Sequence, residues 1–380
     1  MPPIRHTCLC GFMSLLRPIP KAPTSTEHSL RISTEVADPA WDAFLTAAGG
    51  EYPQSSLWAQ IKAASGYRIR RILIEQAGAI VGGAQVLERP IGSFGSLAYV
   101  PLGPVLAGHN SHFARVVVDQ ILQLTKKECI RFVAAQAPHG ASVAVALHDA
   151  GFTLPSPKLA PMASVLIDLS KDSNLILSGM SATTSKHIRR SERNGLTVRE
   201  GSSADLATFD SLSRATAQRR GFPIGSAHYV SNVWNAFSPT GNIKMFVSEM
   251  AGEALSALIA IAFGKTVTCW RMGWIGRQSS TYPNEAMHWA AMQWAKSHGY
   301  RRFDLGGIHL ELAKLIVANK PVPADPAFNV DRFKLGFGGS VSVFPESFGY
   351  APNHLLRWAW PLASTAMKRF DIISRLAGRT

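Results

Sequence analysis

The sequence predicts an α/β fold of the α+β type, in which one mixed α/β unit occurs twice in tandem. The first observation is a repeated hairpin, read in "RILIEQAGAIVGGAQVL" and again, about 170 residues later, in "KMFVSEMAGEALSALIAI". Both strings predict a strand, then Glu-x-Ala-Gly, then a second strand. A short turn with glycine between two apolar runs is typical of a β-hairpin, because glycine adopts positive φ without strain.

A second pair of segments keeps nearly the same separation. "LTKKECIRFVAAQ" and "WAKSHGYRRFDLGG" each predict the end of a helix followed by a strand. Two matches in the same order favour a duplication over coincidence between short apolar strings. Each half then has the order helix, hairpin, helix, strand, which implies a mixed sheet with helices packed on it.

Helix signals bracket these strands. In "DPAWDAFLTAAGG", Asp38 is the expected N-cap and Gly49 the expected stop. "SSADLATFDSLSRATAQRRG" offers a capping box between Ser202 and Asp205. A later helix is predicted to begin at Pro283, and its Trp and Ala stripe is assigned to the core.

Composition narrows the class of protein. The chain has 380 residues, 46% of them hydrophobic, which indicates two globular domains with a sizeable core. No uncharged apolar run approaches the ~20 residues that span a bilayer. The net charge of +14 favours polyanionic partners: nucleic acid, phosphorylated intermediates or an anionic membrane surface. The four cysteines form no CxxC pair, so we expect neither a zinc site nor a disulfide framework.

The beginning of the chain has no secondary-structure pattern, and the common catalytic motifs are absent from the sequence. Residues 1–30 show no helix or strand pattern, and Pro, Ser and Thr crowd "RPIPKAPTSTEHS", so we predict a flexible N-terminal tail. The sequence contains no HExxH, Walker loop, GxGxxG or G-x-S-x-G string. Hydrolytic and metal-dependent chemistry are therefore disfavoured, and we predict no metal site.

Three basic features carry more information. "TTSKHIRRSERNG" predicts a short basic helix that is either a solvated face or an anion contact. Its basic residues are Lys186, His187, Arg189, Arg190 and Arg193. Lys62 follows Trp58 by four residues and shares its helix face, as a snorkelling surface residue or a phosphate contact. Lys334 lies in the apolar, glycine-rich "DRFKLGFGGSVSVFP", where an ammonium is poorly hydrated and acts at low effective dielectric constant.

Several strings occur in an order that is familiar from one group of enzymes. In the first half they are "SSLWAQIK", "GGAQVLERP" and "AYVPLGPVL". In the second half they are "RRGFP", "YPNEAMHWAAMQWA", "RRFDLGGI" and "FKLGFGG". Together they resemble the FemABX family, the non-ribosomal peptidyltransferases that build peptidoglycan cross-bridges. The resemblance covers residues 35 to 350, and its specificity lies in the order of the strings.

The resemblance implies a fold and a reaction. We expect two GNAT-like acyltransferase domains, residues 31–162 and 163–339, with residues 340–380 returning to complete the first. The implied reaction transfers an amino acid from aminoacyl-tRNA to an amine on the stem peptide of a UDP-linked or lipid-linked peptidoglycan precursor. No bound cofactor is expected, since aminoacyl-tRNA is a co-substrate with an activated ester. We expect a cytoplasmic monomer, with peripheral contact to the inner membrane surface as an open alternative.

The resemblance also assigns site residues. The family's Phe-Lys pair corresponds to Phe333 and Lys334, and Lys334 is the predicted catalytic residue. A fixed cation beside the oxyanion formed by amine attack contributes roughly 3 kcal/mol, the scale of one oxyanion-hole donor. Lys62 matches the lysine that contacts precursor phosphate. The other predicted substrate contacts are Trp58, Arg220, Tyr229 and Trp270.

Two features depart from the family pattern. Relatives often carry an aspartate after Gly-Pro-Val, where this chain has Leu106, Ala107 and Gly108, so any role of that carboxylate is absent. The long charged helical arm of some members is absent as well.

Two other functions stay open. One is an acyl-CoA-dependent N-acyltransferase, because Gln218 to Phe222 fits the pyrophosphate motif [Q/R]-x-x-G-x-[G/A] until Pro223, which lacks an N–H to donate to phosphate. The other is a non-catalytic module that binds tRNA or anionic lipid. It is suggested by "NHLLRWAWPLASTAMKRFDIISRLAGR", whose composition suits an interfacial helix although Pro361 interrupts it.

Overall fold

The computed structural model describes residues 27–138, 141–221 and 226–360, which form two mixed β-sheets with helices packed on them. The predicted class, two α/β units of the α+β type in tandem, is confirmed. No helix of this described part combines the length and apolarity that crossing a bilayer requires.

The first half contains the following elements. They are β1 (Ser29–Ser33), α1 (Pro39–Ala48), α2 (Ser56–Ala64), β2 (Arg68–Gln76), β3 (Ala79–Pro90), β4 (Ser96–Val100), β5 (Val105–Leu106), α3 (Ser111–Lys127), β6 (Ile130–Gln136), α4 (Ala141–Asp149) and β7 (Leu154–Pro155).

The second half continues the chain, and its last strand returns to the first sheet. The elements are β8 (Ala163–Asp168), α5 (Ser173–Ser178), α6 (Ala182–Arg193), β9 (Thr197–Gly201), α7 (Leu206–Arg220), α8 (Ala227–Phe237), β10 (Ile243–Met250), β11 (Glu253–Phe263), β12 (Thr266–Trp274), α9 (Pro283–Ser297), β13 (Arg302–Gly307), α10 (Leu310–Val317), α11 (Asn329–Leu335), β14 (Ser340–Val343) and β15 (Ser347–Tyr350).

The two predicted hairpins have the same geometry. Ala77 and Gly78 join β2 to β3 with φ of 50° and 79°, and Ala251 and Gly252 join β10 to β11 with φ of 50° and 80°. Positive φ at both central residues matches the twist of the flanking strands. A register shift lies just before each turn, at Glu75 and at the corresponding position in β10. The duplication is therefore preserved in backbone detail.

The sheets repeat one topology with one exchange of strands. The first sheet has the order β1-β2-β3-β4-β6-β15-β7, with β5 on β3, and the second has the order β14-β8-β13-β12-β11-β10-β9. In each, one parallel pair, β4 with β6 or β12 with β13, interrupts otherwise antiparallel pairing. The helices α3 and α9 connect these parallel strands, as such a crossover requires.

Two predicted boundaries need correction. The chain does return to the first sheet, but through β15, whereas residues 340–343 form β14 and pair with β8 in the second sheet. The physical reason is that Val341 and Val343 pack against the core of the second half. Of the predicted tail, residues 1–26 lie outside the described residues. Ser29 and Leu30 already pair with β2, so the first domain begins before residue 31.

The two halves share an apolar core. Trp58, Ile61 and Leu87 from the first half pack in one cluster with Trp234 and Ile259 from the second. A shared core of this kind fixes one half against the other, so residues from both can form one site.

The C-terminal segment packs on the first sheet as far as it is described. Residues 354–360 are helical, and the Trp360 ring stacks on Phe132 with centroids 3.6 Å apart. Its indole N–H donates to the Pro155 carbonyl oxygen at 2.7 Å. Leu355 and Trp358, on another side of this helix, are 76% and 79% exposed. The predicted break at Pro361 and the rest of the tail lie outside the described residues.

Candidate active site where two parallel strands diverge

A cavity of about 490 Å³ lies between the two halves. The parallel strands β12 and β13 pair only over Thr266–Thr268 and then separate, because β12 continues along β11 while β13 continues along β8. The cavity occupies the gap, with Thr268 and Trp270 on one side and Asp304 and Gly307 on the other. In the first sheet the corresponding pair, β4 and β6, stays in contact along the whole of β4.

A β-bulge aims Trp270 at the cavity. Arg271 pairs with Ile259 and Cys269 pairs with Ala260, so Trp270 is the extra residue on β12. A bulge breaks the alternation of side chains and re-aims one of them, and bulges are frequent beside active sites. Cys269 and Trp270 consequently both line the cavity although they are neighbours in sequence.

Lys334 reaches the cavity from the helix α11. Its Nζ donates a hydrogen bond to the Gly307 carbonyl oxygen at 2.7 Å. Gly306 has a φ of 79°, and a β-carbon there would lie 3.2 Å from the Cys269 carbonyl oxygen, so both the backbone conformation and the close packing favour glycine beside the ammonium. An ammonium has three donors. With one donor on Gly307, the others are free to serve an oxygen atom in the cavity.

Three acidic groups lie near this lysine. Burial lowers the pKa of Lys334, while the nearby Cys269, Asp304 and Asp331 act to raise it. Asp304 accepts a hydrogen bond from the Gly306 N–H at 2.7 Å and another from the Ser164 hydroxyl, and burial raises the pKa of Asp304. Burial raises the pKa of the Cys269 thiol, and the negative charge of Asp304 adds a smaller contribution. Cys269 therefore stays protonated and is a poor nucleophile.

Glu51 enters the same cavity from the first half. It lies between α1 and α2, where a buried polar network holds the backbone. The Gln54 side chain donates to the Pro101 carbonyl oxygen at 2.6 Å and accepts from the Gln85 N–H at 2.7 Å. The Trp41 indole N–H donates to the Gln54 carbonyl oxygen at 2.6 Å. These bonds fix the loop that carries Glu51, which is the support that a functional side chain requires.

The electrostatics of Glu51 distinguish it from an ordinary surface carboxylate. Burial, with a smaller contribution from the nearby Asp304 and against the opposing effect of Arg302, raises the pKa of Glu51 to about 7. Arg302 and Asp304 face the cavity from alternate positions of β13, while Phe303 between them points into the core. A carboxyl group with a pKa near neutrality is suited to accept and return a proton.

A second group of residues lies one aromatic layer away from the cavity. Lys62 is 1% exposed, and its ammonium lies over the rings of Trp58, Tyr67 and Tyr229 at 4.9, 5.6 and 5.4 Å. Tyr52 lines the cavity and packs edge-on against Trp58 at 5.3 Å. The structure therefore has Trp58 and Lys62 on one helix face, as predicted. Lys62 is enclosed by aromatic rings and does not extend to the surface as a snorkelling lysine would.

Tyr229 connects this group to the cavity wall. Its ring lies 6.1 Å from Trp270 and 5.9 Å from the guanidinium of Arg271. Two cations, Lys62 and Arg271, thus share one ring. The Tyr229 hydroxyl is buried and makes no hydrogen bond within the described ranges. A buried hydroxyl without a hydrogen-bond partner, on a ring that two cations approach, is suited to an anionic oxygen ligand.

The enclosure of Lys62 has a measurable consequence for stability. Burial lowers the pKa of Lys62 from 10.5 to about 8. The unfolded chain therefore binds more protons between pH 8 and 10.5, and the free energy of unfolding should rise with pH across that window. We expect Lys62→Met to make this rise smaller, leaving the part that Lys334 contributes, and to increase the free energy of unfolding at pH 7 by about 2 kcal/mol. Urea unfolding at pH 7 and pH 10, with the exposed Lys320→Met as control, measures both effects.

Two predicted site residues lie elsewhere. Phe333 packs on His288 at 5.4 Å and on Phe337 at 5.2 Å, in the core of the second half, so it supports α11 and does not line the cavity. Arg220 is exposed at the C-terminal end of α7, and no described contact joins it to the cavity or to Lys62. The arginine that lies beside Tyr229 is Arg271, which was not predicted.

Sequence reasoning missed Glu51, Asp304, Arg302 and Arg271. The sequence contained a signal for Asp304, because this residue belongs to the string "RRFDLGGI". Alternation along the strand places Asp304 on the face opposite Phe303. Glu51 and Arg271 carry no such signal. Glu51 lies in a connection, and the bulge that disturbs alternation around Arg271 depends on pairing with another strand.

Comparisons with known proteins agree with this architecture. Residues 180–312 match the family model described as an acetyltransferase (GNAT) domain, Acetyltransf_6. The crystal structure of FemX aligns with a TM-score of 0.74 and 18% identity, covering 86% of this chain and 98% of that one. A tandem GNAT protein from the clavulanic acid biosynthesis pathway aligns with a TM-score of 0.50 and 11% identity, covering 86% and 99%. The fold is therefore that of a tandem GNAT acyltransferase.

Sequence similarity points in the same direction. The lipid II:glycine glycyltransferase of Staphylococcus saprophyticus subsp. saprophyticus is 24% identical over 228 residues, which make up 57% of this chain and 55% of that protein. The chain spans about half the length of the curated relatives it matches. With the FemX fold and this similarity, the resemblance to the FemABX enzymes is confirmed.

Proposed function

We propose that this chain transfers an amino acid from aminoacyl-tRNA to an amine on the stem peptide of a peptidoglycan precursor, as a step in cross-bridge formation. The observation that carries the proposal is the ammonium of Lys334, held by Gly307 in the gap between β12 and β13. The similarity to lipid II:glycine glycyltransferases favours a lipid-linked acceptor, and it makes glycine the first donor to test.

Lys334 supplies the electrostatic part of the reaction. When the acceptor amine attacks the ester carbonyl, the carbonyl oxygen becomes an oxyanion, and the C–O bond to the ribose breaks as the intermediate collapses. A pre-positioned ammonium stabilises that oxyanion more than it stabilises the neutral ester. Because Lys334 is largely buried, water screens its charge weakly, which strengthens the interaction.

Glu51 supplies the proton transfer in this proposal. The attacking nitrogen must lose a proton, and the leaving ribose oxygen must gain one. A carboxylate whose pKa is about 7 accepts the first proton and can return it to the leaving oxygen. The chain has Leu106 and Gly108 where relatives often carry aspartate, and both line the cavity that Glu51 enters. Glu51 thus provides a carboxylate from another position on the wall.

The two cations at Tyr229 suit the diphosphate of the precursor. Lys62 was assigned to precursor phosphate by the family resemblance, and Arg271 lies on the same ring. A diphosphate there would accept from Lys62, Arg271 and the Tyr229 hydroxyl. Lys62→Met should therefore raise KM for the precursor more than tenfold while leaving KM for the donor unchanged. An unchanged KM for the precursor would assign Lys62 to the aromatic core alone.

The acyl-CoA alternative fits the structure less well. Gly221 ends the helix α7 in the left-handed conformation, so its motif lies at a helix C-terminus, where the dipole is negative and repels phosphate. The helix α9, which follows β12, begins with Pro283, which has no N–H. The Glu285 carboxylate in the first turn of this helix pairs with His187 at 2.9 Å. The first helix end therefore repels phosphate, and the second has lost one backbone N–H donor to proline and carries a carboxylate in its first turn.

The deciding experiment compares donors. Purified protein receives radiolabelled glycyl-tRNA or labelled acetyl-CoA, each with lipid II in detergent and, separately, with UDP-linked muramyl pentapeptide. We expect transfer from glycyl-tRNA to lipid II that is abolished when the donor is treated beforehand with ribonuclease. Transfer from acetyl-CoA that survives ribonuclease would overturn the proposal and leave the fold as the only conclusion.

The exposed pair Leu355 and Trp358 supports a peripheral contact with the membrane that carries a lipid-linked acceptor. We expect Leu355→Ser with Trp358→Ser to weaken binding to phosphatidylglycerol vesicles about tenfold, because interfacial aromatic and aliphatic side chains contribute through buried apolar area. Vesicle sedimentation measures the change. The matched control replaces Leu175 and Val317, which are also exposed, by serine. Equal losses in both double variants would argue against a specific membrane contact at this helix.

A further inference from the structure

The helix α6 presents a stripe of cations on one face. Its exposed basic residues are Lys186, Arg189, Arg190 and Arg193, which have the spacing i, i+3, i+4, i+7. The opposite face buries Thr184, Ile188 and Ser191 against the second half. The four cations are here called the α6 stripe. No ion pair or side-chain hydrogen bond occupies any of them within the described ranges, although the chain forms such pairs at other surface arginines.

The first turn of α6, from which the stripe runs, packs against the segment that carries Lys334. The Ser181 N–H donates to the Gly336 carbonyl oxygen at 2.8 Å, and Thr184 packs directly on Gly336, two residues after Lys334. His187 stacks on Tyr282 with centroids 3.8 Å apart and pairs with Glu285, which holds α6 against the start of α9. With a rise of 1.5 Å per residue, the stripe extends about 6 to 17 Å along the helix from its first turn.

A polyanion whose reactive end enters the cavity would follow this face. The aminoacyl ester is attached to the end of an RNA, so the nucleotides before it must leave the cavity along the surface near Lys334. Arginine matches phosphate geometry with two parallel N–H donors, and unpaired cations release counterions when phosphates bind. An acceptor peptide offers no comparable row of charges.

Resting on the proposed function, we infer that the α6 stripe binds the phosphodiester backbone of the acceptor end of the donor RNA. The stripe thereby does what a separate helical arm would otherwise do: it holds the RNA while the ester reaches Lys334. Each of the four side chains contacts phosphate, so the contact carries little sequence preference.

The test measures RNA binding apart from transfer. The probe is an acceptor-stem hairpin RNA that carries glycine through a stable 3′-amide, followed by fluorescence anisotropy at several salt concentrations. The stripe variant is K186Q/R189Q/R190Q/R193Q. The matched control, K126Q/K127Q/K265Q/K320Q, removes four charges from exposed lysines elsewhere. We expect the stripe variant to bind about 100-fold more weakly at 0.1 M salt, with a log–log salt slope smaller by about 3, and the control to bind nearly as wild type.

Further measurements distinguish failure of this inference from failure of the proposed function. Equal affinity of the stripe variant and wild type for the hairpin RNA would overturn the inference, as would an equal loss in the control variant. Loss of binding to phosphatidylglycerol vesicles with RNA binding retained would assign the stripe to lipid and also overturn it. Transfer from glycyl-tRNA by the wild-type protein is measured in parallel. Its absence would defeat the proposed function, while the binding data would still decide whether the stripe holds RNA.

Discussion

Replacing Lys334 by methionine is expected to lower the rate constant of transfer by about 10²–10³, the loss produced by removing one oxyanion-hole donor. Methionine keeps much of the side-chain volume and removes only the charge and the donors. Because the ammonium acts on the transition state, KM for both substrates should change little. Single-turnover transfer from glycyl-tRNA to lipid II, with enzyme in excess, measures the chemical step directly.

The pH dependence of the wild-type rate provides a second readout for Lys334. Lys334 must be protonated to stabilise the oxyanion, and burial lowers the pKa of this group below that of an ordinary lysine. The rate should therefore fall on the alkaline side at a lower pH than an ordinary lysine would give. In Lys334→Met this alkaline limb should be absent, because the titrating group has been removed.

Controls separate chemistry from folding. Lys320→Met, an exposed lysine after α10, should leave the rate unchanged. Thermal unfolding of Lys334→Met should occur at the wild-type temperature or above it, since a largely buried ammonium costs desolvation free energy in the folded state. A well-folded Lys334→Met protein with the wild-type rate would remove Lys334 from the reaction.

Glu51→Gln is expected to lower transfer at pH 7 by about 10²-fold, within the range typical of a general base. Glu51 can accept a proton only when it is ionised. The wild-type rate should therefore rise as the pH passes through about 7, the raised pKa of this buried carboxyl group. Glutamine cannot ionise, so the acidic limb of the profile should disappear. The measurement is the pH–rate profile of single-turnover transfer between pH 5 and 9.

Two variants make the assignment of the base specific. Glu311→Gln, on the exposed side of α10, serves as the matched control and should keep both limbs. Asp304→Asn removes the other carboxylate on the cavity wall. Disappearance of the acidic limb in Asp304→Asn, together with its persistence in Glu51→Gln, would identify Asp304 as the proton acceptor and contradict our assignment.

Local signals predicted the repeated framework. The paired Ala-Gly turns at residues 77–78 and 251–252 have the positive φ values that the Glu-x-Ala-Gly strings require. The helix caps at Asp38 and at Ser202 with Asp205 form as the sequence indicates. These features depend on a few consecutive residues, so neighbouring side chains and backbone sterics are sufficient to specify them.

The sheet boundaries show where local reasoning stops. Residues 340–343 have the alternating pattern of a strand, but the pattern does not say which of two sheets accepts it. The choice of β8 as partner depends on packing of Val341 and Val343 against a core made from distant segments. The same limit applies to Arg271, because its place beside Tyr229 depends on contact between β12 and α8, which are separate elements of the chain.

By itself the sequence determined the duplicated α+β framework, the unusual placement of Lys334 and the pairing of Trp58 with Lys62, since each is encoded within one turn, strand or helix. The tertiary structure decided the site. It enclosed Lys62 beneath the rings of Trp58, Tyr67 and Tyr229, packed Phe333 against the core and brought Glu51 from the first half to the cavity of Lys334. The physical reason is that the cavity exists only where β12 and β13 separate, and that separation follows from their pairing with β11 and β8, far away in the chain.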